Sequence, residues 1–277
     1  MKNNNPINVN GKVILLTGAT GLIGSEIGIM LLKNNAKIIF ADIDNFALKK
    51  LEQELENKNF VNENYLFINM DISNEKSIER GIKKIMTKFG KIDVLINNAA
   101  IDAKFDKSGK SKINNSRFEN YPIDLLRKSI DVNMVGTILI SQKVCKVMLK
   151  QKKGNIINIA STYSLVAPNQ SLYDFNDGAE VQFKPIDYIA TKSFIPNYTR
   201  YLATFYAKDG IRCNAIVPHG ILNNHDSEFQ NNFSKLSPIG RMCDRSELNG
   251  IFILLCSDAS SYMTGSVITV DGGWTSW

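Results

Sequence analysis

Tyr188 is followed four residues later by Lys192, in a stretch with the pattern of a helix start. Residues four apart share one helical face, so the phenol and the ammonium can interact. A phenol with an unperturbed pKa of about 10 is a poor base at neutral pH, and a nearby ammonium is expected to lower that pKa. The pair is therefore a candidate for acid–base chemistry. Taken alone, it is equally compatible with a solvated helix surface.

A glycine-rich loop follows the first apolar run, and the residues after it, up to Asn34, predict a helix. Glycines permit a tight turn and close approach of the backbone to a pyrophosphate, and the helix N-terminus supplies N–H donors. A glycine-rich turn without a ligand is the alternative. The residues predicted to bind a dinucleotide here are Gly18, Gly21, Leu22, Ile23 and Gly24.

Asp42 ends the second apolar run, 18 residues after Gly24. A carboxylate at this position can accept hydrogen bonds from an adenosine ribose. It would also repel a 2′-phosphate, and neither Thr20 nor Ile43 offers a compensating positive charge. The sequence thus favours NAD over NADP as cofactor. The alternative is a surface acid that caps the next helix, a role that Asp44 could equally fill.

Seven short apolar runs alternate with longer segments of helical period, which is a βαβ rhythm. Continuous apolar strands are buried on both faces, as in a parallel sheet covered by helices. We therefore predict one α/β domain over residues 1–277, with a doubly wound, Rossmann-like parallel sheet of about seven strands and ligands at the carboxyl ends of the strands. Residues 1–10 are predicted to be a flexible N-terminus. The predicted strands are 13–17, 37–42, 65–69, 93–97, 155–160, 212–217 and 267–270.

Composition argues against several classes of protein. Apolar residues make up 44% of the 277 residues and charged residues 22%, no apolar run approaches the ~18 residues of a membrane helix, and the first apolar stretch is too short for a signal peptide. We expect a cytoplasmic protein with no membrane partner. The net charge of +6 is spread along the chain, so no nucleic-acid partner is expected. The four cysteines lack C-x-x-C spacing, and we interpret His219 and His225 as ordinary loop histidines, so no metal is expected.

Several motifs follow one another along the chain, namely residues 17–24, Asp42, Asn97-Asn98-Ala99-Ala100, Asn133, Ser161, Tyr188 and Lys192. Taken together and in this order, they resemble the short-chain dehydrogenase/reductase family. Segments 211–218 and 270–274 also resemble its last two strands, so the resemblance runs from Gly11 to the C-terminus. It implies a homodimer or homotetramer whose interface contains the helices that follow Asn133 and start at Tyr188.

The resemblance also implies residue roles. Ser161 would hydrogen-bond the reacting oxygen, Tyr188 would exchange its proton, Lys192 would lower the tyrosine pKa and hold the nicotinamide ribose, and Asn133 would anchor a water in the relay. Hydride would pass between the substrate carbon and nicotinamide C4. Further cofactor contacts are implied for Asp71 and Ile72 beside the adenine, Asn98 and Ala99 along the cofactor, and Ile221 near the carboxamide.

The sequence departs from the family pattern in two ways. The G-x-x-G-x-x-G spacing is usual in the extended branch of the family, whereas the chain length indicates the shorter branch. Tyr188 lies 27 residues after Ser161, which implies an insertion. This insertion, with Tyr173 and Lys184, and the long segment 102–122, rich in lysine, are expected to frame the substrate pocket and to favour a polyhydroxylated or anionic substrate. The alternative is that both are solvated loops without a substrate contact.

Five segments resemble oxidoreductases of flagellin modification and bacterial surface-sugar synthesis, namely 97–105, 116–122, 160–164, 260–265 and 272–277. This similarity implies a sugar or sugar-phosphate substrate for an enzyme that interconverts an alcohol and a ketone. Two other functions stay open at this point. One is a sugar epimerase or dehydratase that recycles a bound NAD, and the other is a noncatalytic NAD-binding regulator.

Overall fold

The computed structural model describes residues 6–102, 116–173, 183–225 and 227–277. Within these residues the chain alternates between strands and helices, as the apolar pattern predicts. The strands are β1 Val13–Thr17, β2 Lys37–Asp42, β3 Tyr65–Asn69, β4 Val94–Asn97, β5 Gly154–Ile159, β6 Ile211–Pro218 and β7 Val267–Val270. The helices are α1 Leu22–Lys33, α2 Asn45–Asn57, α3 Glu75–Phe89, α4 Ile123–Ile130, α5 Thr137–Gln151, α6 Ile186–Tyr206, α7 Ser227–Leu236 and α8 Asn249–Cys256.

The seven strands form one parallel sheet in the order β3-β2-β1-β4-β5-β6-β7. This confirms the predicted doubly wound α/β fold. The order reverses beside β1, which pairs with β2 through Leu16 and Phe40 and with β4 through Leu16 and Ile96. A reversal of this kind opens a crevice at the carboxyl ends of the two central strands, where ligands bind in such sheets.

Both faces of the sheet are buried. Along β1, Ile14 and Leu16 belong to one hydrophobic cluster, with α1, α2 and α8, whereas Val13 and Leu15 belong to another, with α3, α5 and α6. All five residues of β1 are buried, as its uninterrupted apolar sequence predicts. The sheet is therefore held rigidly between two layers of helices, and its carboxyl edge provides a fixed platform for the site.

Residues 6–10 have contacts with the domain, whereas residues 1–5 lie outside the described residues. Val9 is only 1% exposed and packs in the first hydrophobic cluster, and the Pro6 carbonyl accepts a hydrogen bond from the Ala259 N–H. The flexibility of segment 1–10 stays a prediction.

One continuous helical stretch, Ile123–Gln151, has the length and composition of a membrane span. It comprises α4, a π-helical turn at Asp131–Gly136 and α5. Its inward residues Ile140, Val144 and Met148 are fully buried against the sheet. We therefore interpret it as a core helix of this fold, because apolar helices in a protein core can have the same length and hydropathy as membrane spans.

Candidate active site

The glycine-rich loop joins β1 to α1 with almost no space for side chains. Gly18 has φ +62°, and a Cβ there would lie 2.7 Å from the Ala99 Cα, while a Cβ on Gly24 would lie 2.2 Å from the Gly18 carbonyl oxygen. Helix α1 begins at Leu22, so Gly24 lies in its first turn, and among the described residues no side chain caps this helix. The backbone N–H groups of the first turn thus point towards the crevice without a side-chain acceptor, which is the arrangement that binds a pyrophosphate.

The Asn-Asn-Ala-Ala segment after β4 supports this loop. The Asn98 side-chain amide donates to the Thr17 and Gly18 carbonyl oxygens at 3.1 and 2.9 Å. In return, the Thr17 hydroxyl oxygen accepts from the backbone N–H groups of Asn98 and Ala99, both at 3.1 Å. Asn98 therefore fixes the shape of the predicted dinucleotide loop. The sequence predicted only a contact between Asn98 and the cofactor, not this structural role.

Asp42 lies at the end of β2 and reaches the same loop. Its Oδ2 accepts from the backbone N–H and the hydroxyl of Thr20 at 2.9 and 2.7 Å, and its Oδ1 accepts from the Asp44 N–H at 3.1 Å. Helix α2 is capped by Asp44, whose carboxylate accepts from the Ala47 N–H. Asp44 therefore caps α2, which was the alternative role considered for Asp42. The Asp42 carboxylate lies beside the glycine loop.

The remaining predicted cofactor residues lie at the ends of two other strands. Asp71 and Ile72 follow β3, where the Asp71 carboxylate accepts from the N–H and hydroxyl of Ser73. Ile72 is 6% exposed and packs against Gly136 of the π-helical turn. Ile221 follows β6 and forms an isolated bridge with Cys243. All three lie where the predicted order of motifs places them, at the carboxyl edge of the sheet.

Asn133 is built into the π-helical turn between α4 and α5 and is 4% exposed. Its Oδ1 accepts from the Ile101 N–H at 2.8 Å, and its Nδ2 donates to the Ile101 carbonyl at 3.0 Å and to the Thr191 hydroxyl at 3.1 Å. The side chain thus ties the segment after β4 to α6. π-Helical turns often occur at functional sites because they displace a helix by one residue.

Ser161, Tyr188 and Lys192 are brought together by β5 and α6. Ser161 lies two residues after the end of β5, and its hydroxyl is close enough to Tyr188 to act on the pKa of the phenol. Lys192 is buried, and its ammonium donates to the Ile159 carbonyl oxygen at 2.8 Å and lies 5.9 Å from the centre of the Tyr188 ring. Burial lowers the pKa of Lys192 to about 8, and the nearby Lys184 acts in the same direction.

The pKa of Tyr188 itself is raised in this structure, against the expectation from the sequence. Burial is the main cause and the charge of Asp102 the second, whereas the hydrogen bond from Ser161 acts in the lowering direction. The Lys192 ammonium donates to the Ile159 carbonyl and lies 5.9 Å from the centre of the Tyr188 ring, and it does not offset the effect of burial in this structure.

Two ionisable residues at the mouth of the site, Lys184 and Asp102, form an ion pair that was not predicted. Lys184 precedes α6 and is buried, and its ammonium lies 2.6 Å from Asp102 and 3.8 Å from the centre of the Tyr188 ring. The loops that contain them were expected to frame the pocket, but the pairing across 82 residues gives no signal in the sequence. Residues 103–115 and 174–182 of these loops lie outside the described residues, and with them the four lysines of segment 102–122, Lys104, Lys107, Lys110 and Lys112.

A group of aromatic side chains closes the other side of the site. The Tyr163 and Tyr173 hydroxyls are 3.0 Å apart, and the Tyr163 ring meets the edges of the Tyr188 and His219 rings. His219 is buried, shares a hydrogen bond with the Thr162 hydroxyl and packs on Trp274. Burial lowers the pKa of His219 to about 4, so its imidazole is neutral at physiological pH. His219 is thus an ordered residue of the site wall.

Comparison with known proteins agrees with this geometry. Residues 18–275 match the family model described as enoyl-(acyl carrier protein) reductase. Since this match covers most of the chain, the protein belongs to the short-chain dehydrogenase/reductase family, whose members are oxidoreductases that act on CH–OH groups with a nicotinamide cofactor.

Three relatives illustrate the range of the family. Post-translational flagellin modification protein A of Campylobacter coli is 30% identical over 96% of this chain and 99% of its own. L-rhamnose-1-dehydrogenase of Scheffersomyces stipitis is 30% identical over 96% of both chains. A solved short-chain dehydrogenase from Leptospira borgpetersenii with bound NAD+ is 30% identical, with a TM-score of 0.81 over 99% of this chain and 97% of its own. These relatives differ in function, so membership of the family indicates the class of reaction but not the substrate.

Proposed function

We propose that this chain is a single-domain, NAD(H)-dependent oxidoreductase that interconverts a secondary alcohol and a ketone on a polyhydroxylated, sugar-like substrate. The observation that carries the proposal is the convergence of Ser161, Tyr188 and Lys192 at the carboxyl edge of the sheet, beside a glycine loop that has no room for side chains. The similarity to a flagellin modification protein and to a rhamnose dehydrogenase supports a role in surface-glycan or flagellin modification.

Each side chain has a distinct part in the proposed proton transfer. The Ser161 hydroxyl donates a hydrogen bond to the reacting oxygen, and the Tyr188 hydroxyl supplies the proton to that oxygen in ketone reduction or removes it in alcohol oxidation. Lys192 places a positive charge on the same side and can bond a ribose hydroxyl. Asn133 holds α6 and the segment after β4 at a fixed distance, and its predicted role in anchoring a water belongs to the same proposal. When bound, the nicotinamide supplies or accepts the hydride.

The residues around the glycine loop fit NAD. Asp42 presents a carboxylate at the position of the adenosine ribose, held in place by Thr20. The neighbouring Ile43 is exposed and uncharged, so neither it nor Thr20 supplies a positive charge to balance a 2′-phosphate. The choice of NAD rests on Asp42, since solved structures similar to this chain include complexes with NAD+ and with NADP.

Exposed apolar side chains on two neighbouring helical segments support a homodimer or homotetramer. Val135 and Leu149 lie on the stretch Ile123–Gln151, and Tyr201 and Phe205 lie on α6; all four are exposed. The Tyr201 and Phe205 rings lie 5.7 Å apart, and exposed apolar side chains that form a contiguous patch often mark a protein–protein interface. We propose a cytoplasmic homo-oligomer that joins through these two helices. Light scattering of the purified protein tests the assembly, and a monomer at micromolar concentration would contradict it.

The test of the function is NADH and NADPH binding by the purified protein, followed by absorbance of the reduced nicotinamide over a panel of sugars, sugar phosphates and polyols. We expect NADH binding and net turnover on one sugar class. Binding without net turnover on any member of the panel would contradict the proposal and would favour a recycled cofactor or a regulatory role.

A further inference from the structure

A second lysine lies against the ring of Tyr188. The Lys184 ammonium is 3.8 Å from the centre of this ring, whereas the Lys192 ammonium is 5.9 Å away and donates to the Ile159 carbonyl oxygen. The Lys184 side chain is only 7% exposed, so little water screens its charge. The nearer of the two cations is therefore the one that does not belong to the Tyr188–Lys192 motif.

The Lys184 ammonium is held in this position from two sides. It lies 2.6 Å from the Asp102 carboxylate, and Asp102 follows Ile101, whose N–H and carbonyl are both bonded by the Asn133 side chain. The Lys184 backbone N–H donates to the Gln170 Oε1 at 2.9 Å, and α6 begins two residues later. The cation is thus preorganised against the ring and is not a mobile surface lysine.

The groups around Tyr188 come from several segments of the chain. Among the described residues, the titratable groups near its ring are Asp102 after β4, Tyr163 and Tyr173 after β5, Lys184 before α6 and Lys192 on α6. Burial raises the pKa of Tyr163 and Tyr173, and His219, which meets the Tyr163 ring, has a lowered pKa, so these three are uncharged at neutral pH. The Asp187 carboxylate, next in sequence to Tyr188, accepts from the Ser129 hydroxyl of α4.

The position of Lys184 suits a phenol that has to lose its proton. A cation within about 4–6 Å favours the negative form of an acid, and a cation over the face of an aromatic ring is attracted to its π electrons. Burial and the charge of Asp102 raise the pKa of Tyr188, so removal of its proton requires positive charge nearby. Lys184 and Asp102 also act in opposite directions on Lys192, whose pKa Lys184 lowers and Asp102 raises.

We propose that Lys184 is a positioning residue for the proton transfer, a second cation that Asp102 holds against the ring of Tyr188 and that favours the phenolate. Lys184 acts through Tyr188 by its charge and needs no contact with the substrate. This inference rests on the proposed oxidoreductase function and adds a residue outside the Ser161, Tyr188 and Lys192 group.

The experiment measures the pKa of Lys192 by NMR, from the chemical shift of its 13C-labelled ε-carbon between pH 6 and pH 10. The proteins are the wild type, Lys184→Met, Lys184→Arg and Asp102→Asn, with thermal unfolding of each, and the Lys192 signal is identified by its loss in Lys192→Met. A second readout is the pH dependence of kcat/KM for NADH formation from NAD+ and myo-inositol, a polyol with only secondary hydroxyls.

Lys143→Met is the matched control. The Lys143 side chain is also largely buried, and its ammonium is paired with the carboxylates of Glu75 and Glu79, but it lies between α3 and α5. Its replacement should change neither the pKa of Lys192 nor the pH dependence of turnover.

In Lys184→Met the pKa of Lys192 should rise, and the increase of kcat/KM with pH should move to higher pH by about one unit, which is a loss of about tenfold below it. Lys184→Arg keeps the charge and should remain close to the wild type. Asp102→Asn removes the opposite charge and should move both quantities to lower pH. A pair that only holds two loops together would not give shifts of opposite sign in the two variants.

Shifts of the same sign in Lys184→Met and Asp102→Asn, or no shift in either readout, would overturn the proposal. If Asp102→Asn does not fold, the contrast between Lys184→Met and Lys184→Arg decides. The absence of NADH formation by the wild type would count against the proposed oxidation of polyols. The pKa of Lys192 would then decide alone: a rise in Lys184→Met but not in Lys184→Arg supports the role of Lys184, and no rise overturns it.

Discussion

Replacing Lys192 by Met should stabilise the protein at neutral pH while it removes activity. The Lys192 ammonium is buried and donates to the Ile159 carbonyl, and burial lowers its pKa from 10.5 to about 8. In the unfolded chain the same group has its ordinary pKa of about 10.4. The buried charge of Lys192 therefore destabilises the folded state, although the proposed chemistry requires it.

The size of this effect follows from the lowered pKa. Below pH 8 the lysine is charged in both states, and the difference in pKa corresponds to at most about 3 kcal/mol in favour of unfolding. Met removes this cost of the buried charge. It also leaves the Ile159 carbonyl without its hydrogen-bond donor, and this loss cancels roughly 1–2 kcal/mol of the gain in stability. The variant should therefore be about 1–2 kcal/mol more stable at pH 7. As the pH rises from 8 to 10.5, folded wild type releases the proton first and loses the cost, so the difference should shift towards the wild type.

The assay is urea denaturation of both proteins at intervals from pH 7 to pH 10. All other titrating groups are shared, so the difference between the two free energies of unfolding isolates Lys192. Lys143→Met is the control with the opposite sign, because Glu75 and Glu79 raise the pKa of Lys143 and its removal should not stabilise the protein. A difference between wild type and Lys192→Met that is the same at pH 7 and pH 10 would refute the reasoning.

Three further predictions concern turnover and cofactor binding. Tyr188→Phe should abolish turnover and leave NADH binding nearly intact, because the hydroxyl serves proton transfer more than affinity; steady-state rates and NADH fluorescence test this. Asp42→Ala should reduce discrimination against NADPH, as measured by the ratio of the two dissociation constants. Gly24→Ala should weaken NADH binding at least about tenfold, because the new Cβ would lie 2.2 Å from the Gly18 carbonyl and distort the loop. Gly250→Ala is its matched control, since a Cβ there meets nothing within 4 Å, and should raise stability by about 0.5–1 kcal/mol.

Each of these predictions has a clear contrary result. Near-normal turnover by Tyr188→Phe would remove this residue from the proton transfer. A wild type that already prefers NADPH would show that Asp42 does not meet a ribose. Normal NADH affinity in Gly24→Ala would mean that the glycine loop does not hold the pyrophosphate.

The sheet was predictable because its strands are continuous apolar runs bounded by polar residues. Four of the seven predicted strands have the observed bounds, as for β1 and β2. The other three differ by one residue, at one end in β4 and at both ends in β5 and β6. The errors fall at strand ends, where a polar residue such as Asp93 can lie just inside or just outside the hydrogen-bonded ladder. The burial of Val9 was missed because one apolar residue in an Asn-rich segment has no periodic pattern.

The site was predictable only where its residues follow a local motif. Tyr188 and Lys192 are recognisable by their spacing and Ser161 by the resemblance to the family, and the fold brings the three together. The raised pKa of Tyr188 was not predictable, because it depends on burial and on the charge of Asp102, which reaches the site from another loop. The Asp102–Lys184 pair depends on two loops meeting in space, which no local pattern encodes.

The central claim is that Tyr188 transfers a proton in a nicotinamide-dependent oxidation or reduction. The most direct measurement is absorbance of the reduced nicotinamide during turnover of polyols and sugar ketones by the wild type and by Tyr188→Phe, with NADH binding measured for both. The account predicts turnover by the wild type only and equal NADH binding by the two proteins. Turnover by Tyr188→Phe at the wild-type rate, or the absence of NADH binding by the wild type, would contradict it.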